Sequence, residues 1–183
     1  MHSDECWSHD HTLHAWWAEP GRLLAGEYPG SRTPERAAHK IALLIDAGVG
    51  SIVDLTTADE GLTPYSRQLR EAEKSAGRSV RYLPRSIPDM RALNQAGYDR
   101  ILDDIAAEID EGRIVYVHCW KGIGRTGTMI GCRLVDNGLD YPATISRIRE
   151  LRAGTRKAHI GSPQSSAQHH LLLDRARRRG ASQ

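Results

Sequence analysis

The stretch from His118 through Cys119, Trp120, Lys121, Gly122, Ile123, Gly124 and Arg125 to Thr126 puts a nucleophile, two glycines and a guanidinium into one short segment. It follows the β-branched run Ile114–Val117, which reads as a buried strand, and it precedes a helical pattern. A tight loop at a helix N-terminus turns backbone N–H groups inward, and the helix dipole adds positive potential there. Gly122 and Gly124 let the backbone curl without a Cβ in the way. Arg125 closes the loop with a planar fork that matches two oxygens of a phosphoryl group. A thiol at the base of such a cradle is stabilised as thiolate. The chemistry implied is attack by Cys119 on the phosphorus of an anion held by residues 120–125.

Strands and helices that alternate along the chain must position this loop. Arg22–Ala25, between Gly21 and Gly26, reads as a first strand. Thr33 and Pro34 open a helix with apolar positions at Ala38, Ile41, Leu44 and Ile45, stopped by Gly48. Ser51–Leu55 is the next strand, Pro64–Ala76 a helix closed by Gly77, and Val80–Leu83 a further strand. A proline-bounded loop, Pro84–Met90, leads to a long helix from Leu93 to Glu111. After the strand Ile114–Val117 and the loop come three helices: Thr126–Asn137, Pro142–Arg152 and Pro163–Arg178, the last capped by Ser162. The alternation predicts an α/β architecture: a central, mostly parallel sheet of four to five strands, flanked by helices on both faces.

The chain has 183 residues, with 39% hydrophobic and 26% charged, the composition of one globular domain. A net charge of +2 predicts no general attraction to nucleic acid or to membranes. Cys6, Cys119 and Cys132 are too few for a disulfide framework, and no signal-like or bilayer-length apolar run is visible, so a cytoplasmic setting is expected. Residues 1–20 read as a polar, mobile leader holding His2, His9, His11 and His14, tacked down by Trp16 and Trp17; residues 21–183 form the single domain. The leader's Cys6 and histidines match no zinc spacing, and no metal or cofactor is expected.

The segment His118–Thr126 resembles the signature of the cysteine-dependent protein tyrosine phosphatase superfamily: His-Cys, five residues, Arg, then Ser or Thr. The compact layout is similar to small bacterial members of its dual-specificity branch. The resemblance implies a sheet flanked by helices and a metal-independent phosphomonoester hydrolase working through a cysteinyl-phosphate. Under it Cys119 is the nucleophile and Arg125 holds the phosphoryl oxygens. Thr126 aids thiolate departure, and His118 orients the loop. The resemblance also implies an acid on a separate upstream loop, because the leaving oxygen needs a proton. Asp89, in Ile87–Met90, matches that place, with Asp54, Asp59 and Glu60 as rivals. Gln164 and Gln168 resemble glutamines that position water in some branches, although ordinary helix-surface glutamines are the plainer reading. Cys132 reads as a small core residue, with a reversible disulfide to Cys119 as the alternative.

The substrate stays open between a phosphoprotein and a small-molecule phosphate such as a nucleotide, sugar or inositol phosphate. The branch resemblance favours the phosphoprotein. Lys121, with Arg85 and Arg91 bracketing Asp89, favours the small molecule. A phosphate-binding pseudophosphatase fits less well, because Cys119, Arg125 and Asp89 are all present. A rhodanese-like sulfur transferase is opposed by Arg125, Thr126 and the upstream acid.

Overall fold

A computed structural model of the chain describes residues 6–181. Five strands form one sheet in the order β1-β2-β5-β3-β4: β1 Ala15–Glu19, β2 Leu23–Gly26, β3 Val49–Asp54, β4 Arg81–Pro84 and β5 Ile114–His118. β2, β5, β3 and β4 are parallel; β1 is antiparallel to β2. The helices are α1 Pro34–Asp46, α2 Ser66–Ala76, α3 Gln95–Asp110, α4 Gly124–Asp136, α5 Tyr141–Leu151 and α6 Ser166–Gly180. The mixed, mostly parallel sheet covered on both faces agrees with the sequence reading. No helix among the described residues is long and apolar enough to cross a membrane.

Side-chain alternation along the strands divides the core in two. Leu23, Ala25, Val53, Val115 and Val117 face one layer, where they pack with Tyr98, Ile101 and Ile105 of α3, Met129 and Cys132 of α4 and Leu172 of α6. Leu24, Ile52 and Tyr116 face the other, against Ile41 and Leu44 of α1 and Leu69 of α2. Both faces of β2, β3 and β5 are buried, which is why these strands read as apolar runs, whereas β4 at the sheet edge is largely exposed.

The expected boundary at residue 20 needs correction. Ala15–Glu19 is an edge strand, Trp16 belongs to the main core cluster, and Trp7 and Leu13 are buried in the second cluster. The apolar surface of Trp7, Leu13 and Trp16 is enough to fold the polar stretch around it onto the domain. Residues 1–5 of that expected leader, with His2, and the last two residues of the expected domain lie outside the described residues.

α6 also starts later than expected. Ser165, not Ser162, is its cap: Ser165 Oγ accepts from Gln168 N, and Gln168 Oε1 accepts from Ser165 N. The pattern Ser-x-x-Gln placed this helix start more strongly than the proline did. Asn94 likewise caps α3, accepting from Gly97 N, so α3 begins at Gln95. α2 begins at Ser66, past Pro64.

Candidate active site

The C-terminal ends of four parallel strands converge on one edge of the sheet, the usual location for ligands in α/β folds. β5 ends at His118, flanked in register by Gly26 of β2 and Asp54 of β3; Asp54 is in turn paired with Pro84 of β4. Beyond His118 the chain makes the loop 119–123, and α4 starts at Gly124, so Arg125 stands in the first turn of the helix.

The carbonyls of this loop are tied outward. His118 O accepts from Leu55 N at 2.9 Å, and Trp120 O from Tyr28 N at 3.0 Å. Lys121 O accepts from Lys157 Nζ at 2.9 Å, Ile123 O from Ser162 Oγ at 2.7 Å and Gly124 O from Thr128 Oγ1 at 2.8 Å. Among the described residues, the amides of 120–126 donate to no protein acceptor. Carbonyls turned out and amides left over make an anion cradle. Gly122 permits it twice over: its φ is +72°, and a Cβ there would lie 2.5 Å from the backbone carbon of Gly26.

Arg125 is 1% exposed. Its Nη1 donates to Glu60 Oε1 at 2.5 Å and to the carbonyls of Leu55 and Ile87, and its Nη2 to Glu60 Oε2 at 2.8 Å. Asp89 Oδ1 lies 3.2 Å from Nη2. Burial opposes the guanidinium charge, but Glu60, Cys119 and Asp89 more than offset it, and the pKa lies above the ordinary value. Burial also works against ionisation of Glu60, but hydrogen bonds from Arg125 and Thr57 outweigh it and hold the carboxyl below its usual range.

His118 is fully buried. Its Nδ1 donates to Cys119 O at 3.2 Å, so Nε2 accepts from Tyr65 Oη at 2.8 Å. Burial lowers its pKa despite Asp54 Oδ1 at 3.8 Å, which leaves a neutral imidazole. Burial likewise raises Tyr65 well above the ordinary tyrosine value, so the phenol keeps its proton. Tyr82 Oη and Thr56 Oγ1 donate to Asp54, completing a polar network behind the loop. Thr126 Oγ1 donates to Gly26 O at 3.4 Å. Trp120 is half exposed, with Lys121 Nζ 5.0 Å from its ring centroid.

Of the expected site residues, Asp89 meets Arg125 at 3.2 Å and is 53% exposed, and Cys119 begins the loop that leads to Arg125. The rival acids separate: Glu60 is the partner of Arg125, Asp54 is buried in the histidine network, and Asp59 is exposed on the 3-10 turn Ala58–Glu60. Arg85 pairs with Asp104 of α3, 2.6 Å away. Gln168 is not a helix-surface residue: it is fully buried, and it bonds Gln164 N, Ser165 N and Arg91 O. The amides of Gln164 and Gln168 both come within 3.1 Å of where a Cβ on Gly124 would stand, so they border the loop. Cys119 and Cys132 are both free and buried, and burial pushes the Cys132 thiol up to about 12. Tyr65 and Ser162 were not anticipated as site residues; their only sequence signals are a tyrosine after Pro64 and a serine before Pro163. Among the described residues no three His, Cys, Asp or Glu side chains gather as a metal site.

The chain matches, over residues 14–182, the family described as "Swiss Army Knife protein, DSP-PTPase phosphatase domain". It is similar to the structure of Tk-PTP in its active form, at 26% identity over 90% of this chain and 97% of that chain, with a TM-score of 0.67. Two more distant neighbours share the fold. PTPMT1 in complex with PI(5)P is 20% identical over 88% of this chain and 94% of that one, with a TM-score of 0.63. TpbA of P. aeruginosa is 18% identical over 98% of both, with a TM-score of 0.66. With its cysteine–arginine loop at the centre of such a sheet, the chain belongs to the dual-specificity branch of the protein tyrosine phosphatase family.

Proposed function

We propose that the protein hydrolyses phosphate monoesters through a cysteinyl-phosphate intermediate. The observation that carries this is the meeting of two carboxylates on the arginine that closes the Cys119 loop: Glu60 grips Nη1 and Nη2, and Asp89 stands 3.2 Å from Nη2. Phosphate, nucleophile and proton donor need that convergence.

The phosphoryl oxygens lie in the amide cradle and on Arg125. The Cys119 thiolate attacks phosphorus in line; the S–P bond forms as the P–O ester bond breaks, and the leaving oxygen takes the proton of Asp89. Water then attacks the cysteinyl-phosphate and passes a proton to the Asp89 carboxylate. The P–S bond breaks, and inorganic phosphate and the thiolate are released. Thr126 donates a hydrogen bond to the departing sulfur, and His118, bonded to Cys119 O, holds the loop's first turn. Atoms and protons balance without a metal or cofactor.

Cys119→Ser is expected to abolish turnover of p-nitrophenyl phosphate while vanadate binding persists. Acid quenching of the wild type during turnover should trap a phosphorylated Cys119, read by peptide mass. Full activity in Cys119→Ser, or a phosphoryl group on another residue, would overturn the mechanism. Between the two substrate classes, Lys121, in the loop and paired with no carboxylate among the described residues, favours a small, highly charged phosphate over a phosphoprotein.

A further inference from the structure

Of the carbonyls turned out from the anion loop, His118 O and Trp120 O are held by backbone amides, and Ile123 O and Gly124 O by a serine and a threonine hydroxyl. Lys121 O is held differently. Its partner is a charged side chain, Lys157 Nζ, which donates to it at 2.9 Å from thirty-six positions downstream. Among the described residues no backbone amide donates to that carbonyl.

The same ammonium donates to Glu27 Oε2 at 2.7 Å. Glu27 is 8% exposed, and both its side chain and its backbone are fixed. Its Oε1 takes Arg156 Nη2 at 2.7 Å and Lys40 Nζ at 3.0 Å. Its N–H donates to His14 O, and its carbonyl accepts from Tyr116 Oη. At the other end of Lys157, its own carbonyl accepts from Nη2 of the buried Arg152 at 2.9 Å. Lys157 is therefore anchored at backbone and ammonium, and the ammonium stands at a set place beside the loop.

What this does follows from peptide planarity. The Lys121–Gly122 bond is trans, so its C=O and N–H point opposite ways. Holding Lys121 O outward aims Gly122 N–H into the cradle. This peptide needs holding, because glycine accepts φ of either sign and turns at little cost. Turned over, it would take one donor from the cradle and point a carbonyl oxygen at the anion. Glu27 also bounds the loop directly, since a Cβ on Gly122 would stand 2.7 Å from Glu27 N. The residue that seats Lys157 is thus the one against which Gly122 packs.

We propose that Lys157, seated by Glu27, is a positioning residue of the active site, locking the 121–122 peptide so that Gly122 N–H faces the bound phosphoryl group. The inference rests on the reading of the loop as a phosphate site and adds a residue to it. Lys157 acts through the loop backbone and not on the substrate.

The test uses Lys157→Met, which keeps the stem and removes the ammonium. Lys40 and Arg156 still neutralise Glu27 in this variant, so the fold should stand. Binding of inorganic phosphate is followed by amide NMR, which reads each loop N–H separately. In the wild type, phosphate should move the Gly122 and Gly124 amide protons downfield, as both gain an anionic acceptor. In Lys157→Met at saturating phosphate, the Gly122 shift should be lost. The Gly124 shift should remain, because Ser162 still holds Ile123 O. The phosphate Kd should rise about tenfold, the scale of one hydrogen bond to a charged group. A lysine that only stabilised the fold would lower Tm without singling out Gly122. An unchanged phosphate Kd, a Gly122 shift that survives, or equal losses at Gly122 and Gly124 would overturn the proposal. If Lys157→Met does not fold, Lys157→Gln, with a neutral donor on a shorter stem, is read by the same three criteria. A wild type that shows both shifts but does not hydrolyse p-nitrophenyl phosphate would fail the phosphatase reading alone.

Discussion

Arg125 and Glu60 meet as two parallel forks, Nη1 to Oε1 at 2.5 Å and Nη2 to Oε2 at 2.8 Å, sixty-five positions apart in the chain. Glu60 is itself seated by Thr57, whose N–H and hydroxyl both donate to Oε1. The arginine proposed to hold the phosphate therefore has its rotamer set by a carboxylate on a different loop, with Ile87 O and Leu55 O as further stops. Pre-setting that fork removes an ordering cost from substrate binding.

Glu60→Ala should therefore lower kcat/KM by about tenfold to a hundredfold, and Glu60→Gln, which keeps one acceptor oxygen, by less. The check is a double-mutant cycle: in an Arg125→Ala background, Glu60→Ala should cost almost nothing further. Additive losses would mean that Glu60 acts without Arg125.

Gly122→Ala should close the anion cradle. The added Cβ meets Gly26 and Glu27 backbone at 2.5–2.7 Å, and the residue must hold φ +72°. Overpacking and left-handed strain together come to about 2–4 kcal/mol. A large fall in Tm and loss of vanadate binding are expected. Unchanged vanadate affinity would mean that the loop has room to spare.

The anion loop and its flanking strand were legible because they are local: glycines, cysteine and arginine lie within one strand–helix junction. The nearness of Asp89 to Arg125 was legible because it lies in a proline-bounded loop after a strand end. The Arg125–Glu60 pairing was not, since Glu60 offers only a carboxylate near a strand end, and the same signal suits an acid catalyst. Gln168 misled for a related reason: a glutamine in a helix's first turn reads as solvated, yet its amide is drawn inward by Ser165, Gln164 and Arg91. The N-terminal strand was missed because Ala15–Glu19 carries two tryptophans and ends on a charged residue, with no β-branched run to mark it.

Stability should fall on acidification, by two contributions of the same sign. Burial holds His118 and His14 below the ordinary histidine value of 6.5. Below that pH the unfolded chain takes up protons that the folded chain does not, so stability present above 6.5 is lost as pH falls through the folded values. For Glu60 and Glu27 burial favours the neutral acid, but Arg125 for the one and Lys157 and Lys40 for the other outweigh it. Their contribution is present above 4.5 and is lost as pH falls further. Thermal melts across this range should show Tm dropping in two stages, and His118→Asn should flatten the first. A Tm independent of pH between about 7 and 5 would contradict the buried neutral imidazoles.

Asp89 is the solvent-exposed residue of the proposed mechanism. In this structure its carboxylate faces Arg125 Nη2 at 3.2 Å, on the edge of the guanidinium that a phosphate would approach. In the proposed mechanism a bound phosphate takes that edge, and Asp89 turns from the guanidinium to the leaving oxygen. Met90, with φ +58°, follows it in a turn closed by Arg91 N on Pro88 O, so the acid sits on a strained, tightly folded tip rather than on a slack loop. If Asp89 is the acid, its removal must hurt most where the leaving oxygen is a strong base. Asp89→Asn should lower kcat/KM on an alkyl phosphate by about a hundredfold or more, yet by less than about tenfold on p-nitrophenyl phosphate, whose phenoxide leaves unaided. Equal losses on both substrates would place the acid elsewhere. Asp59 would then be the residue to replace, because Glu60 is held below the usual carboxylate range by Arg125 and cannot carry the proton.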